Sequence, residues 1–206
     1  ILPVCTDQTV FRPLSRALPG SKLRLLIVGP DSRGTREEPL TFKGIQEIHD
    51  ALTLLAKRCP HFTAVRISGT GPEIFAKFPC EFHVAPADEL KTFLFGTADI
   101  LIYASHYDSC PRPPQEAMAA GAAVVCTNTP GAREYCRDGV NCLLVPVGSP
   151  EAIAEAVEKL VRDRSLRERL VQGGLATAKD FPREREWDEW EKLLLGFAGE
   201  AQRAGA

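Results

Sequence analysis

The segment YDSCPRPPQEAMAAG, Tyr107 to Gly121, holds two carboxylates, Asp108 and Glu116, eight positions apart, with Pro111, Pro113 and Pro114 stiffening the chain between them. A carboxylate pair presented this way can accept hydrogen bonds from the hydroxyls of a polyol. A helix can open at Pro113 or Pro114 because its first N–H groups have no intrahelical partner, and those that remain suit an anion. Glu116 would then stand in the first turn. A plainer explanation is also open: Asp108 caps a turn and Glu116 complements the helix dipole. His106 and Cys110 are residue types used by Cys–His hydrolases. No G-x-S-x-G elbow accompanies them, and nearness in sequence does not define a geometry.

The elements around this segment alternate. Apolar runs at 23–29, 63–69, 80–85, 99–105, 122–128 and 141–146 read as strands. Helical spacing follows most of them: Ile45, Ile48, Leu52 and Leu55; a short helix from Pro72; Leu90, Phe93 and Leu94; Pro113 to Ala120. Ser149 is an N-cap with Pro150 in the first helical position, and helix is expected from there to about Leu195, with a frayed tail beyond. Continuous apolar strands alternating with helices predict an α/β, Rossmann-like parallel sheet of about six strands with helices on both faces. In such a sheet, ligands sit outside the carboxyl ends of the strands. That places function in the loops after Gly29, Gly69, Ala85, Ser105 and Asn128.

The composition is that of a globular chain: 206 residues, 44% hydrophobic, 25% charged, formal net charge -2. Near-neutral charge gives no ground for nucleic-acid binding. No apolar run approaches the roughly 20 residues of a spanning helix. The opening residues, ILPVCTDQTVFRP, have neither a basic region nor an apolar core of signal-peptide type. They also lack an initial Met, so a fragment of a longer protein is expected. The seven cysteines include no C-x-x-C and no metal-ligand spacing. Reduced, buried thiols in a cytoplasmic protein are expected.

The stretch from Asp108 to Val161, with EAMAAG and PGAREYCRDGVNCLLVP, resembles the C-terminal half of glycosyltransferase family 4, the group 1 nucleotide-sugar glycosyltransferases. Their pattern is E-G-F-G-L-x-P-x-E-A-M-A-C-G-x-P-V-V, followed by G-G-x-x-E and G-x-N-G-x-L-V. Upstream, FKGIQEIHDAL resembles the family's K-G helix, ISGTGPE its G-x-G-P-E loop, and VCTDQTVFRP the end of its interdomain crossover. The resemblance implies a GT-B fold, of which this chain would be the C-terminal donor-binding half. Residues 1–20 would be the crossover, 21–180 the nucleotide-sugar-binding domain, and 181–206 a last helix crossing back to an N-terminal domain.

The resemblance also assigns roles. Asp108 falls on the first acid of the family's E-x7-E signature and would face the donor sugar. Glu116 falls on the second and would hold the ribose. Ser109, Cys110 and Arg112 would belong to the cradle between them. Lys43 matches the family's phosphate-binding lysine. Gly29, Gly69 and Gly71 would lie in loops near the nucleotide, Val84 near the base, and Glu134 near the diphosphate. The pattern departs from the family at Asp108 itself, at Ser109 and Pro111 where Gly is usual, and at Pro30 where an Arg neutralises the diphosphate. Arg33 or Arg36 is the candidate replacement.

The implied reaction is retaining transfer of a sugar from a nucleotide diphosphate donor to a glycan or glycolipid acceptor. It would proceed without a metal, in the cytoplasm or at the inner face of the membrane, and the fragment alone would be inactive. Two other readings stay open: a nucleotide-sugar epimerase on the same architecture, and a non-catalytic nucleotide-binding scaffold. Trp187, Trp190 and Leu194 form a helical stripe read as packing, part of it a possible face toward the other domain.

Overall fold

The computed structural model describes residues 5–14, 22–29, 43–69 and 78–204. All six expected strands form: β1 (Leu23–Val28), β2 (Phe62–Ser68), β3 (Cys80–Val84), β4 (Ile100–Tyr103), β5 (Ala123–Thr127) and β6 (Leu143–Val145). They make one sheet in the order β3-β2-β1-β4-β5-β6, with every pair parallel. This is the doubly wound, Rossmann-like order, in which the chain reverses direction across the sheet beside β1. The helices are α1 (Ile45–Arg58), α2 (Asp88–Thr97), α3 (Arg112–Ala119), α4 (Pro150–Arg162), α5 (Arg164–Lys179) and α6 (Arg183–Ala204). The helix expected from Pro72 falls outside the described residues.

The central strands β4 and β5 are almost wholly apolar because both of their faces are covered, whereas β3, at the sheet edge, carries Glu81 and His83 and is only half-buried. Leu25, Ile27, Ile100, Ile102, Ala123 and Val125 join one core with α1 and α4. Leu26, Leu101, Tyr103, Val124 and Cys126, at the alternate positions, join a second core with α2 and α3. Each fully buried aliphatic side chain contributes about 1.5–3 kcal/mol. The central strands are therefore a rigid base for the loops at their carboxyl ends. Among the described residues no helix is long and apolar enough to cross a membrane. Cys5, Cys126, Cys136 and Cys142 are buried, as expected, whereas Cys59, Cys80 and Cys110 are only half-buried.

Three sequence expectations need correction. In α2, Leu90 and Phe93 are exposed, and the buried face carries Leu94 and Phe95. ADELKTFLFGTA has apolar residues on more than one face, and packing against Phe11 selects the one holding Phe95, whose ring meets Phe11 edge-on at 5.2 Å. The stripe of Trp187, Trp190 and Leu194 is not packed but exposed, with Leu195 and Phe197 beside it. The tail does not fray where expected: α6 continues to Ala204, consistent with the Ala, Glu, Gln and Arg of that tail being adequate helix formers.

The first described residues lie against the last two helices. Cys5 N donates to Glu186 Oε2 at 3.1 Å, Gln8 Nε2 to Ala178 O at 2.6 Å, and Arg183 pairs with Asp7 at 2.9 Å.

Candidate functional site

Strands β1 and β4 are parallel neighbours with Ile27 opposite Ile102, so the loops that follow them emerge side by side. This places Lys43, which precedes α1, against Asp108, which follows β4. Lys43 Nζ lies 2.7 Å from Asp108 Oδ2. Tyr103, the last residue of β4, donates its phenol to the same oxygen at 2.6 Å, and Lys43 Nζ reaches the Tyr103 oxygen at 3.3 Å. Burial, reinforced by the Asp108 carboxylate, pushes the Tyr103 phenol far up, so it stays a neutral donor. Asp108 is thus held by two side chains and is more than a turn cap.

Gly44 permits the approach of Lys43. It is the N-cap of α1 in a left-handed conformation (φ 62°), which favours glycine. A Cβ there would also overlap the carbonyl of Ala104. A second contact ties the same two elements: His106 Nε2 lies 2.7 Å from Glu47 Oε1 in the first turn of α1. That pairing commits His106 to Glu47 and removes the motive for a Cys–His hydrolase.

The loop bearing Asp108 is anchored along its length. Ser105 Oγ donates to Tyr107 O at 2.9 Å, Thr127 Oγ1 donates to Ser105 O at 2.5 Å, and the Tyr135 phenol donates to Pro111 O. Gly131 lies beneath the loop, where a Cβ would collide with the backbone carbonyls of Asp108 and Ser109.

Helix α3 begins at Arg112, with Pro113 and Pro114 behind it, so Glu116 stands in the second turn and not the first. Prolines are tolerated there because those N–H groups have no helical partner. The dipole explanation for Glu116 therefore falls. Glu116 is buried, 8% exposed, and pairs with Lys91 of α2, Nζ to Oε1 3.7 Å. Burial raises its pKa above the usual carboxylate value, and Lys91 and then Arg112 act against the rise. It lines a cleft of about 440 Å³ with Thr6, Asp7, Phe11, Lys91, Arg112 and Arg183 among its neighbours. Asp108 is not part of that lining. Each carboxylate has its own lysine: Lys43 for Asp108 and Lys91 for Glu116.

The other candidates divide. Gly29 and Gly69 close β1 and β2 at the carboxyl edge of the sheet, and Val84 is exposed at the end of β3. Gly29 O accepts from buried Arg66 at 2.8 Å. Ser109 is exposed and Cys110 half-buried in the anchored loop. Arg112 turns away from that loop: it donates to Cys5 O at 3.3 Å and pairs with Glu186 at 3.7 Å. Glu134 ends the 3₁₀ turn Ala132–Glu134 with an exposed side chain. Pro30, Arg33, Arg36 and Gly71 lie outside the described residues. Sequence reasoning missed Tyr103, Lys91, Gly44 and Gly131. Two of them left a sequence signal: Gly44 as the glycine of the K-G helix start, and Gly131 as the glycine of the NTPGARE loop after β5.

The comparisons with known proteins bear on this geometry. The sequence profile of the family Glycosyl transferases group 1 matches residues 80–176, just under half of the chain. The lipopolysaccharide core biosynthesis glycosyltransferase LpsE of Rhizobium meliloti (strain 1021) is 35% identical over 108 residues, 52% of this chain and 32% of that protein. The capsular polysaccharide biosynthesis glycosyltransferase CapM of Staphylococcus aureus is 28% identical over 109 residues, 52% of this chain and 29% of that protein. The chain thus spans about a third of the length of the curated relatives it matches. Among solved structures, the C-terminal domain of a glycosyl transferase group 1 family protein (LpcC) from Francisella tularensis superposes with a TM-score of 0.69 at 25% identity. The match covers 85% of this chain and 97% of that domain. Anabaena HepE, solved in complex with UDP-glucose, superposes with a TM-score of 0.74 over 93% of this chain and 55% of its own; at 17% identity that likeness is one of fold. In sequence over residues 80–176, and in fold over the described residues, the chain is similar to the group 1 glycosyl transferases.

Proposed function

We propose that the chain is the C-terminal, donor-binding domain of a family 4 glycosyltransferase that transfers a sugar, with retention, from a nucleotide diphosphate sugar to a glycan or glycolipid acceptor. The observation that carries this reading is the cluster at the carboxyl ends of β1 and β4, where Lys43 and Tyr103 converge on Asp108. It joins a cation suited to a diphosphate with a carboxylate suited to sugar hydroxyls. Glu116, on the next helix, presents a second carboxylate to a cleft. A fold likeness to Anabaena HepE, which was solved with UDP-glucose, supports the donor class. In this reading Lys43 and the unpaired N–H groups at the start of α1 stabilise the departing diphosphate, a fixed electrostatic contribution at the site where charge develops. The acceptor side would come from an N-terminal domain of the same protein, so this chain alone binds donor without transferring it.

Asp108→Asn separates sugar from nucleotide. It keeps the size of the side chain and removes the charge. Calorimetry is expected to show weaker binding of UDP-glucose with UDP little changed. Equal weakening of both would contradict the assignment of Asp108 to the sugar.

Glu116→Gln tests the ribose assignment and carries a stability signature. The folded-state pKa of Glu116 is raised. Stability from this group is therefore complete below the unfolded-state value and declines as pH rises through the folded-state value. The buried carboxylate thus weakens the fold at neutral pH. Glu116→Gln is expected to melt at the same temperature as wild type or higher at pH 7, with the gap closing at acid pH. It is also expected to lose about tenfold or more in UDP affinity, since hydrogen bonds to a charged group contribute about 1.5–3 kcal/mol. Unchanged UDP affinity would remove Glu116 from the site.

A further inference from the structure

The cleft beside Glu116 contains a cation that the donor-site reading does not use. Lys91, on α2, is half-buried, its ammonium 3.7 Å from Glu116 Oε1. The same nitrogen lies 5.4 Å from the centre of the Phe11 ring and 5.9 Å from that of Phe95. Two aromatic faces thus hold the cation by its charge, on the side where it meets the carboxylate. The other cations of the cleft have carboxylate partners of their own, although Arg112 also favours the charged form of Glu116, second to Lys91. Arg183 pairs with Asp7 at 2.9 Å, and Arg112 pairs with Glu186 at 3.7 Å. Asp88 also lines the cleft and adds a negative charge that cannot favour a second one at Glu116.

A vicinal diol is best received by an ionised carboxylate, which accepts at both oxygens; a protonated carboxyl must turn one oxygen into a donor. At 8% exposure, desolvation favours the protonated form of Glu116. An opposite charge about 4 Å away offsets that. We propose that Lys91 is a positioning residue that keeps Glu116 ionised and oriented to receive the two ribose hydroxyls of the nucleotide. This rests on the donor-site reading above and adds to it a residue of α2. The ring contacts from Phe11 extend the arrangement to the N-terminal segment, so the charge state of the ribose site depends on how residues 5–14 pack.

The test uses the 206-residue chain with Lys91→Met, Lys91→Gln and Lys91→Arg, and has two readouts. The first is the titration of the Glu116 carboxyl carbon by NMR. The second is UDP affinity by calorimetry across the same pH range. Lys91→Met and Lys91→Gln are expected to move the Glu116 midpoint upward by about one pH unit and to carry the acid-side loss of UDP binding up with it. Lys91→Arg is expected to restore both. A Glu116 midpoint unmoved in Lys91→Met and Lys91→Gln would overturn the role of Lys91 and leave the donor site standing. A midpoint that moves while UDP affinity ignores it, with Glu116→Gln also binding as wild type, would overturn the ribose assignment instead.

Discussion

Lys43→Ala is expected to lower the affinity of the chain for its nucleoside diphosphate by about ten- to a hundredfold and to leave its affinity for the matching nucleoside almost unchanged. A charge-assisted hydrogen bond contributes about 1.5–3 kcal/mol, and each 1.4 kcal/mol is about tenfold in affinity. Lys43 stands at the start of α1 with its ammonium on Asp108, where the helix N-terminus already favours an anion. A diphosphate entering there meets both. The residual binding should also depend less on salt, because the attraction removed is the one that ions screen. Removing Lys43 affects the fold as well. Asp108 keeps the Tyr103 hydroxyl but loses its cation, with side-chain exposures of 27% for Lys43 and 15% for Asp108. That lies between the exposed and the buried ion pair, so a stability loss of about 1–3 kcal/mol is expected. The double variant Lys43→Ala, Asp108→Asn separates the two effects. It should recover much of the stability and none of the diphosphate affinity.

Gly131→Ala is expected to destabilise the chain by about 1–3 kcal/mol, the usual range for overpacking, and to weaken the nucleotide diphosphate sugar more than its nucleoside. The backbone at Gly131 is ordinary right-handed helix, φ −68° and ψ −33°, which alanine adopts freely. The objection to alanine is one of space, since its methyl would collide with the carbonyl oxygens of Asp108 and Ser109. Either Gly131 or the loop must give way. The loop end at Pro111 is held by Tyr135 and its beginning at Ser105 by Thr127, so displacement falls on its middle, where Asp108 sits. Thermal melts and calorimetry check this together. A variant that melts and binds as wild type would show that the loop is not positioned by this contact.

The sheet was legible because its central strands are buried on both sides, and continuous apolar runs such as ILIY and AVVCT are what such strands require. Ser149 was legible as a cap because its hydroxyl oxygen does accept from Ala152 N. The face of α2 was not, since Leu90, Phe93, Leu94 and Phe95 allow several orientations and only Phe11, from a distant segment, chooses among them. At the site, Asp108 and Glu116 stood out by type and spacing, but their partners did not. Lys91 is an unremarkable lysine on an amphipathic helix until the fold sets it against Glu116. Tyr103 reads as one more apolar residue of β4 until its phenol is seen on Asp108. Contacts between elements far apart in sequence leave no local pattern.

The most direct test of a donor site is calorimetry on the 206-residue chain with the nucleoside, monophosphate and diphosphate of uridine, guanosine, thymidine and adenosine, followed by the matching diphosphate sugars. With Lys43 and the α1 terminus receiving phosphate, affinity for one of these bases must rise in steps from nucleoside to diphosphate. The diphosphate step must then disappear in Lys43→Ala. A wild-type chain that binds every diphosphate no better than its nucleoside would contradict a donor site and leave a scaffold that has kept only the fold.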